Sequence, residues 1–156
     1  MCKVSITPKQ AAEQLPGVSN QSLASGFRVL RITHDKEWFN DDDPGVAAPG
    51  WTRRCNPGHG DYNNDLTISE TPGDTWKASF TGKTVDVIAP KEAGAGKMEV
   101  FIDGKKRATV NLSVTGGRKV QQVVFTARGL TAGKHEIKII NRGPGPVSID
   151  ALITAP

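Results

Sequence analysis

KMEVFIDGKKRATVNL, residues 97–112, decides how the rest of the chain is read. Met98, Val100 and Ile102 fall on one side of an extended segment, and Lys97 and Glu99 fall on the other. Asp103-Gly104 follows, a pair that accepts the positive φ angles of a two-residue hairpin turn. Beyond it Ala108, Val110 and Leu112 alternate with Arg107, Thr109 and Asn111. The period is two, not 3.6, so these are strands with one apolar and one wet face. A hairpin patterned this way belongs to an antiparallel sheet that packs on a second layer.

Working outward, the same alternation returns. It is present in 27–32, where Phe27 and Val29 share a face, and in 84–89, 119–126 and 134–140. It closes the chain in 147–153, VSIDALI, which reads as one strand. Gly116-Gly117, Gly129 and Ala132-Gly133 punctuate these runs. Strands at such close spacing predict an all-β, two-sheet antiparallel sandwich of the jelly-roll kind. Gly 17 and Pro 10 among 156 residues are many turn-formers, against a helical bundle. Residues 1–26, ending in PGVSNQSLASG, read as an N-terminal extension or linker, and 27–156 as the sandwich. The length suits one domain of this type.

Composition excludes several classes. Hydrophobic residues at 37% and charged residues at 23% are wrong for a disordered chain. No apolar run is long enough to cross a membrane as a helix, so no membrane partner is expected. Charge is uneven: residues 1–75 carry a net −3 and residues 76–156 a net +7. Lys105-Lys106-Arg107 and Arg118-Lys119 supply part of the basic half. They have no interleaved aromatics on which bases could stack, so nucleic acid is not the expected partner. The start lacks a charged segment leading into an apolar one, the mark of a secretory leader. Cys2 and Cys55 either form one bridge or remain two thiols, and they do not make a zinc site.

Six pieces of the sequence resemble a known architecture: NDDDPGVAAPGW (40–51), GDYNND (60–65), TPGDTWKASFTGKTVDVIAP (71–90), GKMEVFIDGKKRATVNL (96–112), QQVVFTARGLTAGKHEIKIIN (121–141) and VSIDAL (147–152). Together they resemble the galactose-binding-like β-sandwich of jelly-roll carbohydrate-binding modules, those appended to bacterial glycosidases, polysaccharide lyases and esterases. The resemblance covers roughly 27–154. It implies a non-catalytic module, secreted as part of a larger protein, that targets a covalently linked enzyme to a polysaccharide or oligosaccharide. The alternative is a structural or protein-interaction accessory domain. The resemblance implies a monomer. Two positions depart from the pattern: Val46–Gly50 lacks the expected aromatic, and Thr67 stands where a His is usual.

The residues that could recognise sugar lie in 34–75, rich in Asp, Asn, Gly and Pro. A pyranose offers a C–H face to an aromatic ring and hydroxyls to polar side chains. Trp51, Arg53, Arg54, Asn56, His59, Asp61, Tyr62, Asn63, Asn64 and Asp65 bring both kinds together in one short stretch. Trp38 is a further candidate, with Phe39 as its core-facing neighbour. Four of these have a structural alternative: Trp51 packed inward, Tyr62 covering an edge, Asp61 and Asp65 capping turns. Trp76, alternating with Ala78 and Phe80, reads as core. Asp41-Asp42-Asp43 is either a structural calcium site or a solvated acidic turn. For catalysis there is no nucleophile elbow and no His-Glu-x-x-His motif. Asp61 and Asp65 are the sole carboxylate pair weighed for glycoside hydrolysis, and catalysis is not expected.

Overall fold

Alternation fixes which side of each strand is buried, and turn chemistry fixes where each strand stops. The computed structural model describes residues 36–41, 45–55 and 58–156. Its strands are β1 (Glu37–Asn40), β2 (Thr52–Cys55), β3 (Asp65–Ser69), β4 (Thr75–Thr81), β5 (Thr84–Lys91), β6 (Lys97–Ile102), β7 (Lys105–Asn111), β8 (Lys119–Ala127), β9 (Lys134–Gly143), β10 (Val147–Ile149) and β11 (Ala151–Ala155). The strand expected at 27–32 and the extension at 1–26 lie outside the described residues.

The strands form two four-stranded sheets, β1-β11-β5-β8 and β4-β9-β6-β7, and a three-stranded sheet, β10-β3-β2. Every strand pairing is antiparallel. The decisive hairpin forms as read. Ile102 pairs with Lys105, and Asp103 and Gly104 take φ of 51° and 75°, the two positive angles of a primed turn. Trp76, Phe80, Met98, Val100, Ile102, Ile137 and Ile139 of one sheet are buried together with Val85, Val87, Ala89 and Leu152 of the other. Fully burying a side chain of this size contributes roughly 1.5–3 kcal/mol, so these inner faces hold the layers together.

VSIDALI is two strands, not one. Val147–Ile149 pairs with β3, whereas Ala151–Ala155 pairs with β5 and β1. Between them the Asp150 N–H donates to the Ile88 carbonyl at 2.9 Å. The break at Asp150 lets one segment serve two sheets. It also brings a carboxyl group to their junction, under the segment that carries Tyr62.

Candidate functional site

Register places Trp38 on the outer side of its sheet. Phe39, Leu152, Val87 and Phe125 lie in one row across β1, β11, β5 and β8, and that row belongs to the core. The neighbouring row is Trp38, Ile153, Asp86 and Thr126. Adjacent residues of a strand face opposite ways, so this second row points away from the core. Trp38 and Ile153 are half-buried there, and Thr126 is exposed.

Tyr62 comes to Trp38 from a different part of the chain. It begins a single 3-10 turn, Tyr62–Asn64, in which Asn63 and Asn64 both take left-handed angles (φ 52° and 56°). Asn tolerates that region better than most residues, which explains the Asn-Asn pair. The turn lays the Tyr62 ring over Trp38, with ring centroids 4.9 Å apart and planes 21° from parallel. Asn63 Nδ2 donates to Asn40 Oδ1 at 3.3 Å, and the Tyr62 N–H donates to Asp150 Oδ1 at 2.8 Å.

Beneath the turn lie four buried acids: Asp41, Asp61, Asp65 and Asp150. Two arginines offset part of this charge. Arg53 Nε donates to Asp65 Oδ2 at 2.9 Å, and its Nη2 closes on the same oxygen. Arg118 Nη2 donates to both oxygens of Asp61, at 2.7 and 2.9 Å. Among the described residues, no arginine pairs with Asp150. Burial, reinforced by the charge of Asp61 and then of Asp41 and Asp65, pushes its carboxyl up to about 8 against the pull of the Tyr62 N–H. It is therefore mostly neutral at pH 7.

The candidate residues thus separate. Trp38, Tyr62, Asn63 and Asn64 come together and are half-buried, and His59, three residues before Tyr62, is exposed. Asp61 and Asp65 are sealed beneath, as ion-pair acceptors rather than the turn caps that sequence reasoning weighed. Arg53 is committed to Asp65, and Arg54 pairs with Glu70 on the surface at 2.8 Å. Trp51 is half-buried against the core, with its Nε1 buried and unpartnered among the described residues. Trp76 is fully buried, as expected, and its indole N–H donates to the Asp41 carbonyl at 3.1 Å. Asn56, Asp42 and Asp43 lie outside the described residues. Cys55 is disulfide-bonded, and Cys2 lies outside the described residues.

The calcium expectation falls on Asp41-Asp42-Asp43, of which only Asp41 is among the described residues. Asp65 Oδ1 and Asp150 Oδ2 are buried oxygens without a hydrogen bond among the described residues, the kind a hard cation would take. Yet no three acidic, histidine or cysteine side chains are gathered closely enough to hold an ion among the described residues.

Two contributors were missed in the sequence. Arg118 looked like part of a basic hairpin patch, and Asp150 looked like a polar residue on a strand. Both are far from 51–65 along the chain, and no local pattern links them to it.

Comparison with known proteins bears on this arrangement. Residues 58–146, more than half of the chain, match the family described as carbohydrate esterase 2 N-terminal. The chain belongs to that family. The match takes in the Tyr62 turn and Arg118 but not Trp38 or Asp150. This carbohydrate esterase 2 N-terminal chain is also 29% identical, over 106 residues, to an A type blood N-acetyl-α-D-galactosamine deacetylase of Flavonifractor plautii. The aligned part is 68% of this chain but 12% of that protein. Among solved structures it is similar to a two-domain esterase active on acetylated mannans, co-crystallised with mannopentaose (TM-score 0.62, 14% identity, 77% of this chain and 36% of that one). It is also similar to a family 35 carbohydrate-binding module from an environmental isolate (TM-score 0.60, 18% identity, 77% and 97%). These structures establish the β-sandwich of the carbohydrate-binding modules as the fold.

Proposed function

We propose that this chain is a non-catalytic carbohydrate-binding accessory domain that holds a covalently linked, glycan-active enzyme against its polysaccharide. The observation that carries the reading is the Trp38–Tyr62 stack on the outer side of a sheet, with Asn63 and Asn64 following Tyr62 in its turn and an exposed His59 three residues before it. Such a pair offers aromatic surface for the C–H face of a sugar ring, and the amides and imidazole offer donors and acceptors for its hydroxyls. The buried acids and arginines hold that surface in shape. Their burial and pairing argue against their acting on a substrate, so chemistry is assigned to the linked enzyme. The family's name and the esterase and deacetylase it resembles support an enzyme that acts on acylated glycans as the linked partner.

The alternative, a docking module that binds only protein, has less support. Val123, 57% exposed, is the one exposed large apolar side chain among the described residues, and a lone side chain is no docking patch.

A short glycan buries little area and exchanges water for protein hydrogen bonds, so the expected dissociation constant is on the order of micromolar to millimolar. Affinity electrophoresis against soluble glycans, acetylated mannans included, tests the assignment. Retardation is expected for the wild type and should disappear in Trp38→Ala and Tyr62→Ala. Free migration of the wild type in every glycan would remove it.

A further inference from the structure

We infer that Arg118, which immediately precedes β8, and Gln121, near the start of β8, are positioning residues for the Trp38–Tyr62 platform, and so tune glycan binding without touching the glycan. The inference rests on the function proposed above. Its structural half stands apart from that function.

Tyr62 is reached by a segment, residues 58–61, in which Gly58, His59 and Gly60 are exposed and no strand pairing occurs. Left alone, such a segment would sample many conformations and carry the ring with it. The start of β8 grips it at three successive residues. Arg118 Nη1 donates to the His59 carbonyl at 3.3 Å. Gln121 Nε2 donates to the Gly60 carbonyl at 2.9 Å. Arg118 Nη2 binds both oxygens of Asp61. Gly60 has a φ of 84°, and a Cβ there would stand 3.1 Å from Val120 Cγ2, so the segment also packs closely on β8.

The backbone of β8 is shaped for this grip. Ala89 pairs with Gln122 and Lys91 with Lys119, so β8 carries one more residue than β5 over that interval. This is a β-bulge, a device that re-aims side chains. Gln121 in the bulge has a φ of 48°. Left-handed backbone is uncommon for Gln and persists only where the surroundings impose it. Without the extra residue, the alternation of β8 beyond this point would shift by one, and the side chain of Gln121 would leave the Gly60 carbonyl.

The 156-residue chain carries the test, as Arg118→Lys, Arg118→Ala, Gln121→Ala and, as a control for charge, Lys119→Ala. Near-UV circular dichroism reads the stack, with the difference between wild type and Tyr62→Ala as its signature. Glycan affinity is read in parallel. Lysine keeps the charge but loses the two-pronged geometry, so Arg118→Lys should lose the signature and weaken binding about tenfold, the equivalent of one charge-assisted hydrogen bond. Arg118→Ala should lose at least as much, Gln121→Ala less, and Lys119→Ala nothing. If Arg118→Ala does not fold because Asp61 is left buried and uncompensated, the double variant Arg118→Ala, Asp61→Asn removes both charges and should fold without the signature. An unchanged spectrum and unchanged affinity in Arg118→Lys and Arg118→Ala overturn the inference. If the wild type binds no glycan, the proposed function falls, and the spectra still decide whether Arg118 positions the stack.

Discussion

At the scale of single residues, Asp150 has the most to do and was the hardest to see. Its side chain accepts the Tyr62 N–H, its own N–H reaches Ile88, and it feels three other buried acids. In the sequence it is one polar residue in an alternating run, and nothing local says that three carboxylates from elsewhere will surround it. Tyr62, Asn63 and Asn64 were visible because aromatic and amide residues cluster along the chain, whereas Arg118 and Asp150 join them only after folding. The energetic consequence is testable. A carboxyl whose folded pKa is raised, here from 3.8 to about 8, binds its proton more tightly folded than unfolded. Stability linked to that proton is fully present below pH 3.8 and is lost as pH climbs toward about 8. Asp150→Asn keeps an oxygen for the Tyr62 N–H and never ionises. Its melting temperature should therefore fall less than that of the wild type between pH 5 and pH 8, and the advantage should grow with pH. Parallel profiles for the two proteins would show that Asp150 is not the group that titrates.

At the scale of elements, legibility followed the number of wet faces. β6 and β7 were read nearly to the residue, because one face is apolar and the other polar. β3, DLTIS, is buried along its whole length and includes Asp, Thr and Ser, so no alternation marks it. β2, TRRC, is exposed along its whole length and has no apolar stripe. Both lie in 34–75, a stretch rich in Asp, Asn, Gly and Pro that shows no alternation to mark a strand. Turn chemistry was legible and had further work to do. Asp103, in the β6–β7 turn, sits 2.7 Å from His135 Nδ1, and His135 Nε2 sits 2.8 Å from the Thr131 carbonyl. Two acceptors favour the doubly protonated ring. The Thr131 carbonyl first, and then Asp103, raise the His135 pKa. The Glu136 N–H first, and then His135, hold Asp103 below the usual carboxylate range. The histidine's contribution is full below about pH 6.5 and is lost as pH rises through its folded value. That of Asp103 is full above about pH 3.8 and is lost as pH falls through its folded value. The clasp between the β6–β7 turn and β9 is thus tightest between about pH 4 and pH 6.5. Amide exchange in that turn should speed up between pH 6 and pH 8 beyond the intrinsic rate change, and His135→Gln should abolish the excess. An excess that persists in the variant would place the titrating group elsewhere.

For the whole molecule, the sandwich was legible because residues 76–156 carry most of its two large sheets, and each repeats the same alternating argument. The site was only half legible, because it is built where β1, the Tyr62 turn, the β10–β11 break and the start of β8 converge, and convergence has no signature in one dimension. This division of labour suits a binding accessory. Rigid sheets supply the frame, and one pinned loop carries the surface proposed to meet the glycan. If the domain binds without reacting, its effect on a linked catalytic domain must come from local concentration alone. That effect depends on the physical form of the substrate. On an acetylated polysaccharide that offers many binding sites, attaching this domain should raise the rate at low substrate by roughly tenfold or more, since tethering multiplies weak affinities. On a small soluble acetyl ester, which has no second site to hold, the attached and detached enzymes should have equal kcat/KM. Trp38→Ala should erase the gain on polymer and leave the small ester untouched. A domain that instead altered the catalytic centre through direct contact would change both substrates together, and Trp38→Ala would leave that change in place. Rate measurements on the two substrates, with and without the substitution, separate the cases.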